Sequence, residues 1–246
     1  MNPSFLLSAA SRGMFRAGLA ACCALLAGCE TEWSRDRRHA TPNPPPPIAV
    51  NTSPGRAVAP ESGDGWTSLF DGKSLRGWAV TDFAGHGEVK VEEGRILLGS
   101  GIMTGVNWTN EAALPKLNYE IALEAMRVEG NDFFCGLTFP VGGNPCSFIV
   151  GGWGGGVVGL SSLDGEDAAN NDTTKYMTFD NGKWYAVRVR VTGTNISCWI
   201  DADKVVNADT TDRRISIRLE VEGSRPLGVA TWSTAAALRN IRLRRW

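Results

Sequence analysis

Histidine and cysteine, which supply most metal and thiol chemistry in proteins, are scarce in this chain. There are two histidines among 246 residues, and His39 lies in a segment with no hydrophobic period. A histidine-based zinc site or a catalytic Ser-His-Asp triad would therefore have to use His86. The six cysteines form no C-x-x-C pair, so the sequence contains no cysteine-based metal motif either.

A long hydrophobic run is also lacking. The apolar segment at residues 17–27 has 11 residues, which is too short to cross a bilayer as a helix. It is typical of the apolar part of a secretion signal, and Arg12 and Arg16 supply the positive charge that precedes such a segment. The sequence therefore predicts a signal peptide at residues 1–29 and an exported chain.

This signal ends in Leu26-Ala27-Gly28-Cys29, which resembles the lipobox of bacterial lipoproteins. The resemblance implies that Cys29 is lipidated and that its lipid anchors the chain to a membrane of the cell envelope. The outer membrane is favoured because Glu30, rather than aspartate, follows the cysteine. An ordinary signal peptide with an incidental cysteine is the alternative.

Residues 30–63 contain neither a hydrophobic period nor a large apolar residue set. Proline dominates residues 41–47, and a run of prolines favours the extended polyproline II conformation. Such a segment buries too little apolar surface to offset the entropy of ordering, which predicts a disordered tether. The remaining residues, 64–246, are sufficient for one β-sandwich domain.

An excess of charge of one sign is absent as well. The chain has 25 basic and 26 acidic residues, and no segment combines basic and aromatic residues as nucleic-acid-binding surfaces do. Nucleic acid is therefore not an expected partner. Tryptophan, in contrast, is abundant, with nine residues in the chain. Its flat apolar face suits the flat C–H faces of sugars, although most tryptophans in a sandwich are core residues.

Apolar residues recur at every second position over most of residues 64–246, which is the period of a β-strand. In residues 119–127, for example, one face of the strand carries Tyr119, Ile121, Leu123 and Ala125. The other face carries Glu120, Ala122 and Glu124. No segment shows a helical period. Many short strands separated by Gly, Asn and Asp turns predict an all-β fold of two antiparallel sheets, as in sandwiches and jelly rolls. Other predicted strands are at 88–92, 95–98, 133–139, 146–153, 157–160, 184–191, 196–201 and 204–206.

Residues 65–78 are the most informative stretch. They join a short apolar strand, an Asp71-Gly72 turn and a second aromatic edge at Trp78. Asp-Gly suits a tight turn because glycine reaches positive φ without a Cβ clash and aspartate can bond its own backbone. Taken alone, the stretch predicts an opening hairpin.

Taken with later segments, the same stretch resembles a known family. The segments are W-x-S-L-F-D-G-K-x-L-x-G-W at 66–78, V-E-x-G-x-I at 91–96, G-x-W-x-x-x-R-V-x-V at 182–191 and x-R-N-I-R-L at 238–243. Their order is similar to that in the 3-keto-disaccharide hydrolase domain family. The resemblance covers nearly all of residues 64–246 and implies a concanavalin-like jelly roll.

The resemblance also implies a reaction, the hydrolysis or lysis of 3-keto-glycosides. A ketone at C3 of a sugar acidifies the C2 proton, so a base can remove that proton and the glycosidic oxygen leaves by elimination. Water can then add to the product. The chemistry requires a general base and a cation that stabilises the enolate. The candidate bases are His86, Glu120 and Asp132, and Arg188 is the candidate partner of the oxyanion.

Candidate substrate-binding residues are the outward polar residues Glu124 and Arg190 and the aromatic residues Trp153 and Trp232. Because Glu120 and Glu124 are four positions apart on one strand, about 13 Å separates their backbones. This separation disfavours a two-carboxylate glycosidase. The alternatives are a solvated, charged sheet face for the strand residues and an exposed loop histidine for His86.

Two segments depart from the family pattern. Many members carry N-S-G-x-x-F/Y-R where this chain has residues 130–136, which contain no arginine. Many also carry a Q-D-H-G-like segment where residues 228–234 contain no histidine. If those residues serve catalysis in the family, this chain binds sugar without cleaving it. A non-catalytic, lectin-like module is therefore the alternative function, and a purely structural envelope role is a third.

Two further features remain open. Residues 164–172 contain clustered Asp, Glu and Asn side chains that suit a divalent cation such as calcium, which is the candidate cofactor, with a plain surface loop as the alternative. Cys135, Cys146 and Cys198 are an odd set in an exported domain, so either one disulfide or three free thiols is compatible with the sequence.

Overall fold

The computed structural model describes residues 65–246. The predicted signal peptide, the lipidation of Cys29 and the tether all lie outside the described residues and stay predictions. Two antiparallel sheets of eight and seven strands make up the described part of the chain, which confirms the predicted all-β, two-sheet jelly-roll sandwich. Residues 65–246 contain no helix long and apolar enough to span a membrane.

The strands follow one another along the chain with two short 3₁₀ helices between them, Glu111–Ala113 and Leu219–Ser224. The strands are β1 Trp66–Ser68, β2 Trp78–Val80, β3 Val89–Glu92, β4 Arg95–Leu98, β5 Met103–Trp108, β6 Tyr119–Glu129, β7 Cys135–Val141, β8 Asn144–Gly152, β9 Val157–Ser161, β10 Lys175–Tyr176, β11 Trp184–Val191, β12 Asn195–Ile200, β13 Asp203–Asp209, β14 Gly228–Trp232 and β15 Ala235–Arg245.

Sheet I has the strand order β13-β12-β11-β6-β15-β4-β3, and β1 also pairs with β15. Sheet II has the order β10-β9-β8-β7-β14-β5-β2. Every strand pair is antiparallel. The strands predicted at 88–92 and 95–98, at 133–139 and 146–153, and at 196–201 and 204–206 pair with each other as the hairpins β3–β4, β7–β8 and β12–β13.

The predicted opening hairpin at residues 65–78 is wrong. Its first strand, β1, pairs with β15 in sheet I, whereas its second, β2, pairs with β5 in sheet II. The Asp71 turn is present, since Asp71 Oδ1 accepts hydrogen bonds of 2.8 Å from the backbone nitrogens of Lys73 and Ser74. The turn therefore carries the chain from one sheet to the other instead of folding one strand back on its neighbour.

The core lies between the inner faces of the two sheets. The odd positions of β6 from Tyr119 to Ala125 are buried, as the alternation predicted. They belong to one hydrophobic cluster with Phe139 and Phe148 of sheet II. Trp78 is also part of this cluster, so it is a core residue rather than a sugar platform.

The three cysteines of the described chain are free and buried. Cys135 and Cys146 lie on the neighbouring strands β7 and β8, but Cys135 is opposite Val150 and Cys146 is opposite Phe139. Burial raises the pKa of both thiols to about 12. These side chains therefore act as small apolar core residues.

The outer face of sheet II is not open along its whole length. Residues 217–224, here called the roof, cross this face together with Phe83. Val221 of the roof packs with Phe83, Met103 and Ala230 in a second hydrophobic cluster. Gly105 on β5 is needed beneath it, because a Cβ there would lie 2.8 Å from the backbone oxygen of Val229.

Candidate functional site

A pocket of about 210 Å³ opens on the outer face of sheet II beside the roof. Its floor is formed by apolar side chains of two strands and the roof, Met103, Ile149 and Val221. Ligand pockets for drug-sized molecules span about 300 to 1,000 Å³. The space here therefore suits a single small ring, with any further part of a ligand left outside the pocket.

Two serine hydroxyls also lie in the lining. Ser147 on β8 and Ser161 on β9 are cross-strand neighbours. Ser147 Oγ is 2.8 Å from Thr138 Oγ1. Ser161 Oγ is buried and has no hydrogen-bond partner within residues 65–246. The pocket is thus lined mostly by apolar side chains, and the two serine hydroxyls are polar groups in the same lining.

Asp132 supplies the carboxylate at the pocket rim. Its Oδ1 accepts a hydrogen bond of 2.7 Å from the backbone nitrogen of Phe133, and its Oδ2 accepts one of 3.1 Å from Gly154. Its own backbone nitrogen donates to Thr234 Oγ1 at 3.0 Å. Because both carboxylate oxygens accept hydrogen bonds from backbone N–H groups, the side chain is fixed in orientation.

Two indole rings border the same pocket. Trp153 lies in the glycine-rich turn between β8 and β9, and Trp232 ends β14. Their exposed fractions are 45% and 36%, which is unusual for so large an apolar side chain. Trp153 also has a positive φ of 49°, a conformation that costs energy for any residue with a Cβ. The turn therefore holds this ring at the surface against local preference.

An ion-pair network supplies the cationic side of the pocket. Arg218 lies at the start of the roof and binds Asp167 at 2.9 Å and Glu220 at 2.7 Å. The hydrogen bond with Glu220 raises the pKa of Arg218, and the same bond lowers the pKa of Glu220. Both groups are therefore charged at neutral pH. The guanidinium lines the pocket with its charge largely balanced by two carboxylates.

Three residues predicted from the sequence, Asp132, Trp153 and Trp232, are thus brought together in one pocket. Strands distant in sequence achieve this, because the loop after β6, the turn after β8 and the end of β14 meet at one end of sheet II. The backbone bond from Trp232 to Phe133 O, at 3.1 Å, fixes two of these segments directly. A carboxylate between two exposed aromatic rings can hold a polar ring-shaped ligand by its faces and one edge.

Four other predicted residues lie on the opposite side of the sandwich. Glu120, Glu124, Arg188 and Arg190 are on the outer face of sheet I, so they do not share a site with Asp132. The sequence placed all of these residues in one groove because strand period alone assigns a face but not a sheet.

Glu120 is fully buried and clamped by three arginines. Its Oε1 lies 3.1 Å from Arg188 and 2.6 Å from Arg190, and its Oε2 binds Arg244. Burial alone would raise the pKa of Glu120, but the hydrogen bonds from Arg244 and Arg190 outweigh burial and lower it. A general base must have a free lone pair and a pKa near the working pH, so this carboxylate is better suited to a structural role.

Glu124 and His86 are also engaged locally. Glu124 binds Arg239 at 2.6 Å and Asn240 at 2.7 Å on the neighbouring strand. His86 is exposed in the loop before β3, with Nδ1 2.9 Å from the carbonyl oxygen of Gly87. Neither side chain lines the pocket. The alternative interpretation of His86, an exposed loop histidine, therefore describes its position.

Carboxylates of the acid-rich loop at residues 164–172 form ion pairs with arginines outside the loop. Arg213 binds Asp164 and Asp172, each at 2.8 Å, and Arg218 binds Asp167. Within residues 65–246 no group of three or more His, Cys, Asp or Glu side chains is arranged to hold a metal ion. The loop that suggested calcium therefore uses its carboxylates to anchor the segment that leads into the roof.

Several pocket residues were not predicted. Arg218 lies directly before the 3₁₀ helix Leu219–Ser224 and Glu220 lies within it, in a segment without a hydrophobic period where the sequence gives no signal of a site. Ser147 and Ser161 do carry a signal, because each is a polar residue on an otherwise apolar strand. Only the sheet order, however, places them side by side.

The outer face of sheet I carries a second group of aromatic residues. The sequence has no contiguous basic and aromatic segment, but arginines and tryptophans of four strands, β1, β11, β12 and β15, stack on this face. The Arg188 guanidinium lies 3.9 Å from the ring centre of Trp199, and Arg244 lies 4.7 Å from that of Trp66. This surface assembles only in the folded sheet.

A concanavalin-like jelly roll with a small aromatic pocket on one outer face defines a class, that of glycosyl-hydrolase-like or carbohydrate-binding jelly-roll proteins. Residues 65–244 match the model of the 3-keto-alpha-glucoside-1,2-lyase-like domain. The chain belongs to that family, as the four sequence segments predicted.

Solved structures resemble this chain at low sequence identity. The Crh5 transglycosylase in complex with NAG is 11% identical, with a TM-score of 0.51 over 74% of this chain and 84% of that one. The carbohydrate-binding module CBM66 from Bacillus subtilis is 13% identical, with a TM-score of 0.46 over 68% of this chain and 95% of that one. No curated protein matches the chain.

Proposed function

We propose that the pocket on sheet II binds one ring of a 3-keto-glycoside and that the protein cleaves the glycosidic bond by elimination. The observation that carries this proposal is the convergence of Asp132, Trp153 and Trp232 around a space of about 210 Å³. Family membership supplies the substrate class. Asp132 is the one candidate base from the sequence that lines this pocket.

In the proposed reaction Asp132 removes the C2 proton next to the C3 ketone. The electrons of the C2–H bond form an enolate, and they then expel the glycosidic oxygen from C1 as a C1–C2 double bond forms. The proton from C2 ends on the departing alkoxide. Addition of water across the new double bond completes a net hydrolysis. The Arg218 guanidinium would stabilise the negative charge on the enolate oxygen.

The test is release of 3-keto-glucose from 3-keto-trehalose and 3-keto-glucosides by the purified chain, with and without a chelator. Asp132→Asn keeps an acceptor for the backbone bonds but cannot take a proton, so turnover should fall by roughly 100-fold or more. Asp180→Asn is the matched control, because Asp180 is exposed and lies outside the pocket. Equal turnover in the two variants would exclude Asp132 as the base. Loss on chelation would show that a divalent cation such as calcium takes part.

Binding without cleavage is the second candidate function. It is favoured by the two backbone hydrogen bonds that Asp132 already accepts and by the absence of histidine from the pocket lining within residues 65–246. This candidate predicts saturable binding of unoxidised glycans, no turnover of 3-keto-glycosides, and loss of binding in Trp153→Ala.

We also propose that the chain is an exported lipoprotein anchored through Cys29. The lipobox-like segment Leu26-Ala27-Gly28-Cys29 supports this. Incorporation of labelled palmitate into cells that express the chain tests it. Cys29→Ala should abolish labelling, whereas Cys22→Ala, a cysteine within the apolar segment, should leave it intact. Labelling that survives Cys29→Ala would exclude Cys29 as the lipidated residue, and no labelling of the unsubstituted chain would leave an ordinary signal peptide.

A further inference from the structure

The outer face of sheet I carries a concentrated positive charge that the proposed reaction does not use. Five cations lie together there, supplied by β11, β13 and β15, and one buried carboxylate, Glu120, faces them. The whole chain has a net charge of −1, so this face departs strongly from the average. The cations are Arg188, Arg190, Lys204, Arg242 and Arg244.

The strand register arranges three of these cations in a line. Arg242 on β15 is opposite Ala122 on β6, which is opposite Arg188 on β11. Arg188 is in turn opposite Trp199, and Trp199 is opposite Lys204 on β13. A cation therefore occurs on every second strand, at intervals of about 10 Å because neighbouring strands are about 4.8 Å apart.

The side chains between the cations are one small residue and one aromatic residue, Ala122 and Trp199. Ala122 is the smallest residue in the line and lies between Arg242 and Arg188. Beyond them, Arg242 lies 4.9 Å from the ring centre of Trp66, and Lys204 lies 5.3 Å from that of Trp199. Stacking on an indole fixes a cation before any ligand arrives, which lowers the entropic cost of binding an anion.

The cations at the two ends of the line differ from the others in their ion pairing. Within residues 65–246, Arg242 and Lys204 make no ion pair with a carboxylate, whereas Arg188, Arg190 and Arg244 share Glu120. Guanidinium groups bind carboxylates, sulfates and phosphates by the same forked geometry. Regular spacing along a line favours a ligand with regularly spaced anions over a single ion.

We propose that this face binds a linear acidic polysaccharide that carries one anion per disaccharide, with the chain lying along the line from Arg242 to Lys204. Alternate sugar units would place their anions at the cations, and the units between them would lie over Ala122 and beside Trp199. The site is on the opposite side of the sandwich from the pocket. It therefore does not depend on the reaction proposed above.

The experiment measures the affinity of the purified full chain for hyaluronan, which has one carboxylate per disaccharide, with neutral dextran as the reference. We expect hyaluronan to bind, to weaken as salt is added, and to bind roughly five- to tenfold more weakly to Arg242→Gln/Lys204→Gln. Lys73→Gln/Lys116→Gln removes the same charge from exposed positions elsewhere and should leave the affinity unchanged. Equal losses in the two double variants would overturn the proposal.

A second variant adds a negative charge to the line. Ala122→Glu places a carboxylate between Arg242 and Arg188, so the folded variant, as checked by circular dichroism, should not bind hyaluronan. Binding that survives this change would overturn the proposal. The binding measurement is repeated with two other ligands. One is vesicles of phosphatidylcholine with a quarter phosphatidylglycerol, and the other is a single-stranded oligonucleotide. The proposal would also be overturned if hyaluronan does not bind and the vesicles or the oligonucleotide do, with weaker binding to Arg242→Gln/Lys204→Gln.

Discussion

Asp132 and Gly154 are joined across the pocket rim, with the carboxylate Oδ2 3.1 Å from the backbone nitrogen of the glycine. This bond ties the loop after β6 to the turn that presents Trp153. The position of the indole therefore depends on the same side chain that is proposed to act as the base. Binding and chemistry at this site are expected to be lost together when the carboxylate is removed.

Asp132→Ala should accordingly lower stability as well as activity. The change leaves the backbone N–H groups of Phe133 and Gly154 without their acceptor, and we expect a loss of about 1 to 3 kcal/mol in the free energy of unfolding. Asp132→Asn should lose less, because its carbonyl oxygen still accepts one bond. Urea denaturation of the three proteins measures this order, and equal stability of all three would contradict it.

Replacement by glycine rather than alanine should have opposite effects on stability at Trp153 and at Trp232. Because Trp153 has a φ of 49°, Trp153→Gly should be more stable than Trp153→Ala by about 1 kcal/mol. Trp232 lies in β14 without a positive φ, so Trp232→Gly should be less stable than Trp232→Ala by about 0.5 to 1 kcal/mol. Both glycine variants should lose affinity for sugar. Thermal unfolding gives the two comparisons, and the same sign at both positions would refute the explanation.

The buried thiols should be unreactive in the folded protein. Burial raises the pKa of Cys135 and Cys146 to about 12, and it also raises that of Cys198. At neutral pH almost no thiolate is present, and the thiolate is the reactive form. Iodoacetamide followed by peptide mass spectrometry should find all three unlabelled under native conditions and labelled in denaturant. Native labelling of any one would show that its strand opens.

Glu120 should stabilise the protein in a pH-dependent way. Its pKa in the folded state is lower than the ordinary value of 4.5, so its contribution is fully present above that value and is lost as the pH falls through the folded-state pKa. Glu120→Gln should cost about 2 kcal/mol at pH 7 and progressively less in acid. Glu129→Gln, an exposed change on the same strand, is the control. A cost that does not change with pH would argue against the ionised clamp.

Gly105→Ala should strain the sheet beneath the roof. The added Cβ would lie 2.8 Å from Val229 O and 3.0 Å from the ring of Phe83, and the backbone oxygen cannot move without breaking the pairing of β5 with β14. Overpacking of this kind costs about 1 to 3 kcal/mol. Gly143→Ala, where a Cβ meets nothing within 4 Å, should be nearly neutral. Chemical denaturation of the two variants tests the contrast.

Much of the fold follows from local period, and the errors follow from its limits. The alternation in β6 identified which side chains face the core, because burial on one face leaves a period of two. The separation of β1 and β2 into different sheets could not be predicted, since the Asp71 turn is the same local structure in either case. The sheet to which β1 belongs is decided by a partner more than 100 residues away, since Trp66 is opposite Arg244.

The candidate pocket shows the same division. Asp132, Trp153 and Trp232 could be singled out by residue type, and Trp153 also by the glycines on both sides of it. Glu120 looked equivalent to them in sequence, and only the register with Arg190 and Arg244 shows that its lone pairs are occupied. Arg218 reaches the pocket from a segment without regular structure, for which no periodic signal exists.

The place of β15 bears on the order in which the domain can form during synthesis. This last strand pairs with β6 on one side and with β4 and β1 on the other, so sheet I has a gap at its centre until residues 235–245 have left the ribosome. A nascent chain therefore cannot complete sheet I before residues 235–245 have been made and released. For a chain with a predicted export signal, this delay keeps the polypeptide incompletely folded, so that it can still pass through a translocation channel.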